Sequence, residues 1–326
     1  MISMQLSNLI TTLEHTKLYP SHGMAMVRIG FGIAILLSIV PDIPAWNSVW
    51  GAERSFLPAS ATPSSVSYDW HSLLLVGACT LTALTMSLGF LTRLSTLGTL
   101  ITYRSLCNSN PLLTDGGDNL LHIALIFLIF TNASDVWSFD ARFHLRPPFS
   151  LSTQSWYLPI ANCAWMLFVF QVCVVYTIAG LAKVAGDTWL AGEGVSRSLT
   201  SIQFQNLPWL SNFMLSFEWV LIPASFLTVF MQIYFPFLVL NKWSRIPTLI
   251  MFFLFHASIG IVMGLVSFAI VMISAEMAFV RDSSVLRARK FPHSRHVETQ
   301  KVKSTRPEKH LSRVGCVGIF RNEIAS

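Results

Sequence analysis

Charge is what this sequence has least of. Only 12% of its 326 residues are Asp, Glu, Lys or Arg, whereas a soluble domain carries roughly a quarter. A chain so poor in charge cannot cover a water-facing surface, and 53% of it is apolar. The few charges are also unevenly placed. Positions 281–326 hold eleven Lys and Arg against four Asp and Glu, which leaves eleven basic against twelve acidic residues in the first 280. The pI of about 9.2 therefore describes the tail, and nucleic-acid binding by the body is not expected. A basic segment beside a membrane helix is better explained as a cytoplasmic anchor drawn to anionic lipid.

Cysteine is scarce too. Cys79, Cys107, Cys163, Cys173 and Cys316 show neither CxxC nor zinc-ligand spacing, which excludes a dithiol redox centre of the usual kind. They read as small apolar core residues. HExxH is absent and the histidines of the apolar body show no ligand spacing, so no metal site is expected. No phosphate loop, dinucleotide fingerprint or Ser/His/Asp order can be placed, and no cofactor is assigned. Residues 1–20 are mixed polar and run into a long apolar stretch without a cleavable signal peptide, which makes them a cytoplasmic N-terminal segment.

What the chain does have is long apolar runs. A bilayer core of about 30 Å needs roughly 20 apolar residues per helix. Residues 21–40 form a first such run, with Ser21 placed to cap it and Pro41 to end it; Arg28 near its start is expected to snorkel to the interface. Further runs cover 71–91, 94–107, 119–131, 158–184 and 213–240, with Asp118 placed to cap the 119–131 helix and Pro223 and Pro236 inside the last. Between them lie a loop at 44–70 carrying Trp46, Trp50 and Trp70, and polar loops at 108–118 and 132–155. Residues 195–212 are amphipathic and expected to lie in the interface.

The run 247–280 would reach about 50 Å as one helix, too long for an upright crossing. Arg93, then Arg142 and Arg146, then Lys242 and Arg245 fall on one side if the N-terminus is cytoplasmic, as the positive-inside rule favours. A single last crossing would strand the basic tail outside. We therefore expect a break near Gly260 and Gly264. The fold class is all-α: a polytopic transmembrane bundle at 21–280 of about seven or eight passes or re-entrant segments, with a flexible basic cytoplasmic tail at 281–326.

This topology gathers polar groups on the outer face: the Trp46/Trp50 loop, Asp115 and Asp118, and the turn from Lys183 to Gly194. Ionisable groups inside a membrane are costly and are functional hypotheses by default. Two explanations of Lys183 stand. Desolvation at the end of an apolar helix would leave some neutral amine able to act as a base, with Tyr176 seven residues earlier on the same face. Equally, Lys183 can be an interfacial lysine snorkelling outward to Asp187. His122 follows Asp118 by four residues, so the carboxylate can orient the imidazole, or simply cap the helix beside an incidental histidine. His256, twenty residues before Glu276, is either a site residue or a hydrogen-bonded packing histidine, and Gly260-Ile-Val-Met-Gly264 is a GxxxG packing pattern.

Four stretches together carry a family resemblance: Arg28-Ile-Gly-Phe-Gly32, Asn119-Leu-Leu-His122 after Gly-Gly-Asp, Tyr176-Thr-Ile-Ala-Gly-Leu-Ala-Lys183 with Trp189 and Gly192, and His256 before Gly264-Leu-Val-Ser-Phe268. They resemble the HTTM membrane domain shared with vitamin K-dependent gamma-carboxylases and with bacterial SdpB-like proteins. The resemblance implies a catalytic base at Lys183; Tyr176, His122 and Asp118 are the further catalytic candidates read from the residues, and Trp189, Asp187 and His256 the candidates for substrate contact. The carboxylases carry a large lumenal domain after their helices where this chain has 46 basic residues, so vitamin K-dependent carboxylation is not expected. SdpB-like proteins imply instead maturation or export of a secreted antimicrobial peptide at the bacterial plasma membrane. The partners implied are membrane lipid, the precursor peptide and a small soluble SdpA-like protein. Two alternatives remain, a DoxX-like quinone-linked oxidoreductase subunit and a non-catalytic toxin-binding chaperone or immunity partner.

Overall fold

The structure, a computed structural model, describes residues 16–51, 70–143 and 156–282. The expectations placed on His144, Arg146, Cys316 and the tail beyond position 282 lie outside the described residues.

Among the described residues every regular element is a helix. Helix α1 spans Ser21–Ile39 and continues through a 3-10 turn, Val40–Ala45, into the short α2, Trp46–Val49. Then follow α3 at Trp70–Leu88, α4 at Thr92–Ser109, α5 at Gly116–Phe130 and the short α6 at Phe139–Arg142. The longest, α7, is Tyr157–Val184, and three short helices come after it: α8 at Asp187–Leu190, α9 at Gly194–Thr200 and α10 at Pro208–Leu215. The bundle closes with α11 at Glu218–Leu240, α12 at Arg245–Met263 and α13 at Val266–Glu276. Helix α11 is continuous through both Pro223 and Pro236.

Five stretches are long and apolar enough to cross a membrane: Ser21–Val49, Trp70–Leu88, Tyr157–Val184, Glu218–Leu240 and Arg245–Met263. Gly116–Phe130 and Val266–Phe279 are apolar but shorter. Their outward faces leave Leu74, Phe170, Phe237 and Leu254 each more than 60% exposed, and an apolar belt of that extent belongs in lipid. The protein is an all-helical integral membrane protein. Helix α4 falls short of the others in hydropathy because it is rich in Ser and Thr, yet it packs inside. Its buried Thr96 and Thr99 donate to the carbonyls of Thr92 and Ser95 at 2.6 and 2.7 Å, so their hydroxyls are satisfied within the helix.

Helix α1 is the axis of the bundle, packed on α3 along one side and α13 along another. The glycines of Arg28-Ile-Gly-Phe-Gly32 make both approaches possible. A Cβ at Gly30 would collide with the Ser274 side chain on α13, and one at Gly32 would sit 2.9 Å from the Ala83 carbonyl on α3. Around them Met24, Val27, Phe31 and Ile35 are fully buried, Phe31 against Phe168 of α7.

Arg28 does not snorkel. It is fully buried, and its guanidinium donates to four backbone carbonyls: Ala133 at 3.1 Å, Met86 at 2.7 Å, Ser87 at 2.5 Å and Trp137 at 2.6 Å. Met86 and Ser87 are the last carbonyls of α3, where the helix dipole presents negative charge. The next helix is handled in the opposite sense. The Asp140 carboxylate accepts from the backbone N–H of Leu91 and of Thr92, both at 2.8 Å, at the positive start of α4. Snorkelling loses because the carbonyls that end α3 reach Arg28 inside the bundle.

Two cap assignments also change. Ser21 does not cap α1; the Asp282 carboxylate does so from the far end of the sequence, accepting from Ser21 N at 3.0 Å and His22 N at 2.9 Å. Both ends of the described chain therefore meet at one end of the bundle. Asp118 is not the N-cap of α5 but its third residue, completing a capping box whose N-cap is Asp115. The break expected in the last apolar run falls at Gly264, whose φ of +78° ends α12 and turns the chain back into α13. Gly260 does pack closely, on Ala269 of α13, so the two glycines of the GxxxG pattern have different roles.

Replacing Arg28 by Met should strand several of these carbonyls and cost about 3 kcal/mol or more, read as a lowered unfolding midpoint of the detergent-purified protein. Asp282→Ala should cost about 1 kcal/mol. Burial raises the Asp282 carboxyl, but its bonds from His22 and Ser21 outweigh that and hold it below the usual carboxylate range. Its stabilisation should accordingly be present above the ordinary carboxylate pKa and vanish as pH falls through the lowered one, so the gap between wild type and Asp282→Ala should close in acid.

Candidate functional site

A cleft of about 510 Å³ opens where the C-terminal ends of α1 and α4 meet the start of α5 and the turn at Gly264. Helix α1 begins at the Asp282 cap and is about 28 Å long at 1.5 Å per residue, so the cleft lies at the opposite end of the bundle from the joined chain ends. Trp50, Tyr103, Asn110, Asp115, Asp118 and Phe268 line it. Tyr103 donates to Asp118 Oδ1 at 2.5 Å, while Asp118 Oδ2 accepts from Asp115 N at 2.8 Å. Burial, with the neighbouring Asp118 carboxylate adding to it, holds the Asp115 carboxyl above the usual range.

Behind the cleft wall sits a second polar group, enclosed by aromatic rings. Tyr176 on α7 donates to Glu276 Oε1 at 2.5 Å and lies 2.9 Å from His256 Nε2; His256 and Glu276 are 3.5 Å apart. All three are at most 2% exposed. Phe235, Phe252 and Phe255 surround them, with ring centroids 4.2–5.0 Å from Tyr176 or His256. His256 Nδ1 and Glu276 Oε2 have no hydrogen-bond partner. Three titratable side chains from three helices thus share protons in a site closed to solvent. Phe268 joins the two sites, being both a wall of the cleft and in edge contact with His256 at 5.7 Å.

Residues 17–283 match the HTTM domain family. This chain belongs to the HTTM domain family. No curated protein and no solved structure matches it.

Within this HTTM domain the residues singled out in the sequence separate into three groups. Asp118 and the Trp50 loop meet in the cleft. His122 lies beside them, but its ring stacks on Tyr103 at 5.4 Å, neither of its nitrogens has a hydrogen-bond partner, and the Asp118 carboxylate is engaged by Tyr103 and Asp115 instead. Tyr176 and His256 belong to the enclosed group. Lys183 and Trp189 form the third. Helix α7 starts at the end where Asn162 holds Leu18 N and the Thr16 carbonyl, so it delivers Lys183 to the cleft end without placing it on the cleft wall. There Lys183 Nζ lies 5.2 Å above the Trp189 ring and 3.5 Å from its own helix carbonyl at Ala179. Asp187 does not pair with it among the described residues.

Sequence reasoning did not assign Tyr103, Asn110, Phe268 or Glu276 to a site. Glu276 carried the one usable signal, a carboxylate at the end of an apolar helix. Nothing in local spacing joins Tyr103 to Asp118 or Phe268 to His256.

Tyr176→Phe should leave the buried Glu276 carboxylate without its donor and cost about 2 kcal/mol, whereas Tyr176→Phe combined with Glu276→Met removes donor and acceptor together and should recover part of the loss. Unfolding of wild type, both single variants and the double variant measures the coupling directly.

Proposed function

We propose that this HTTM protein is SdpB-like: a plasma-membrane protein of bacteria that takes part in maturing or exporting a secreted antimicrobial or toxin peptide. The observation that carries this reading is the pairing of a peptide-sized open cleft with an enclosed Tyr176–His256–Glu276 group, one aromatic ring, Phe268, between them. A cleft alone suits a binding protein. A buried set of proton-sharing side chains beside it suits chemistry or a gated conformational step.

Orientation supports the same reading. The chain ends meet at one end of the bundle, and eleven Lys and Arg lie in 281–326, so the positive-inside rule sets that end in the cytoplasm. The cleft and Lys183 then face outward, where a translocated peptide arrives. Lys183, whose Nζ lies 5.2 Å from the Trp189 ring, is the base that the resemblance implies, acting in its neutral amine form. A small soluble SdpA-like protein is the expected partner.

The test co-expresses the full chain with its precursor peptide and the soluble partner and measures secreted peptide by mass spectrometry. Lys183→Ala, Tyr176→Phe and Glu276→Gln should each lower mature product by about tenfold or more, within the range of losses for a general acid–base group. Undiminished product from all three, with wild-type amounts of each variant in the membrane, overturns the reading. A secreted precursor of unchanged covalent mass whose export still needs the chain identifies delivery rather than modification.

A further inference from the structure

The cleft has walls of two kinds. Asp42, Asp115 and Asp118 line it and no lysine or arginine does. None of the three carboxylates belongs to an ion pair among the described residues. Asp118 is engaged on both oxygens and Asp115 uses Oδ1 for its cap, which leaves Asp115 Oδ2 and the half-buried Asp42 as open acceptors. The remaining wall is apolar, from Ile39, Leu106, Leu265, Val266 and Phe268.

An independent observation points to a ligand. Asn110 is only 6% exposed, and its Nδ2 donates to the Val49 carbonyl at 2.8 Å, which fixes the amide's orientation. Its Oδ1, on a residue of the cleft wall, has no partner. A buried carbonyl oxygen without a donor costs roughly 1–3 kcal/mol, and Asn110 Oδ1, Asp115 Oδ2 and the Asp42 carboxylate are all acceptors. The missing group is therefore a donor, and the carboxylates make it a cationic one. It is not a metal ion, because no three His, Cys, Asp or Glu among the described residues converge closely enough to hold one. Acceptors spread over an apolar cavity of about 510 Å³ fit an N–H₃⁺ group attached to a hydrocarbon body.

We propose that this cleft binds a primary ammonium group carried on an apolar segment, Asp42 and Asp115 supplying the countercharge and Asn110 Oδ1 a directed acceptor. The identification of that segment as peptide rests on the function proposed above. The ammonium is either the peptide's own amino terminus or a lysine side chain, two sources of one chemistry.

The test uses the full chain in nanodiscs of neutral phosphatidylcholine, so that lipid charge does not compete. Three labelled twelve-residue Leu/Ala/Gly peptides serve as probes: one with a free amino terminus, one acetylated there, and one acetylated with a single internal lysine. Fluorescence anisotropy should show at least one ammonium-bearing peptide binding about tenfold or more tightly than the acetylated one. The Asp42→Asn/Asp115→Asn variant should erase that preference; asparagine preserves the helix cap, and an unchanged melting curve confirms the fold. Rescue by the internal lysine assigns the site to a side chain, and no rescue assigns it to the amino terminus. Equal binding of all three peptides, or a preference that survives in the variant, overturns the proposal. If the wild-type chain shows no ammonium selectivity while secreted mature product still depends on the chain in the co-expression assay, the cleft assignment falls alone. If ammonium selectivity holds but neither mass nor export of the precursor depends on the chain, only the functional reading falls.

Discussion

The arrangement of this bundle depends on one buried cation. Moving a guanidinium out of water costs several kcal/mol unless hydrogen bonds compensate it, and Arg28 engages four of its five N–H donors with backbone carbonyls rather than a carboxylate. The choice of acceptor has structural consequences. A carboxylate would tie Arg28 to one side chain, whereas the carbonyls of Met86, Ser87, Ala133 and Trp137 tie α1 to the end of α3 and to the 131–138 segment at once. Asp140 completes the lock from the other side by holding the start of α4, and its own N–H donates to the Gly89 carbonyl at 3.0 Å. The two non-glycine residues with positive φ, Leu91 and Trp137, are both held here, Leu91 through its N–H and Trp137 through its carbonyl. Local strain of about 1–3 kcal/mol per residue persists only where the surroundings over-determine it, and these two ionic contacts do so. With α1 fixed at this end, its glycine faces are presented to α3 and α13 in one register.

Much of this was legible in the sequence, and the limits have physical causes. The helices are written in apolar runs of bilayer length, so their approximate bounds follow from composition, and the break near Gly264 from the length of the last run together with the basic tail that follows it. Side-chain partners are not written that way. Arg28 was expected to snorkel because a sequence shows a cation's distance from a helix end but not the carbonyls that another helix brings to it. Ser21 was expected to cap α1 because capping is ordinarily local, yet its N–H is taken by a carboxylate 261 positions away. The GxxxG pattern is a rule about two glycines on one helix face, and it misplaced Gly264 because a glycine that ends a helix looks identical in sequence. In the candidate site, Asp118 was singled out by its spacing to His122 and Tyr176 by its spacing to Lys183. Their actual partners, Tyr103 for one and His256 with Glu276 for the other, lie on other helices at separations that carry no periodic signal.

Polarity is divided along the bundle axis. At the end where the ends of the described chain meet, charged groups are paired, Lys17 with Asp135, His22 with Asp282, and Arg28 and Asp140 with helix ends, although Ser87 Oγ and Tyr157 OH have no hydrogen-bond partner. At the cleft end Asp42, Asp115 and Asp118 are in no ion pair among the described residues, the Asn110 amide oxygen has no partner, and Lys183 Nζ meets the Trp189 ring and its own helix carbonyl at Ala179. Fully satisfied polar groups fix a fold, and partly satisfied ones are where a protein keeps its capacity to bind or react. The open acceptors at the cleft end support the binding role proposed for it.

The enclosed Tyr176–His256–Glu276 group lies between these regimes, since it is bonded internally yet keeps two orphaned atoms, His256 Nδ1 and Glu276 Oε2. A purely structural role would be served better by apolar side chains of the same volume, because a buried, half-satisfied polar cluster is a weak source of stability. Its placement explains its retention. Helix α13 is only eleven residues long, and it carries the cleft wall at its first residues and Glu276 at its last. The positive-φ hinge at Gly264 is its sole direct covalent link to α12, which bears His256. A ligand pressing on Val266 or Phe268 therefore acts on the same rigid element that positions the carboxylate against Tyr176. The cleft wall and the enclosed group thus share one short helix, α13.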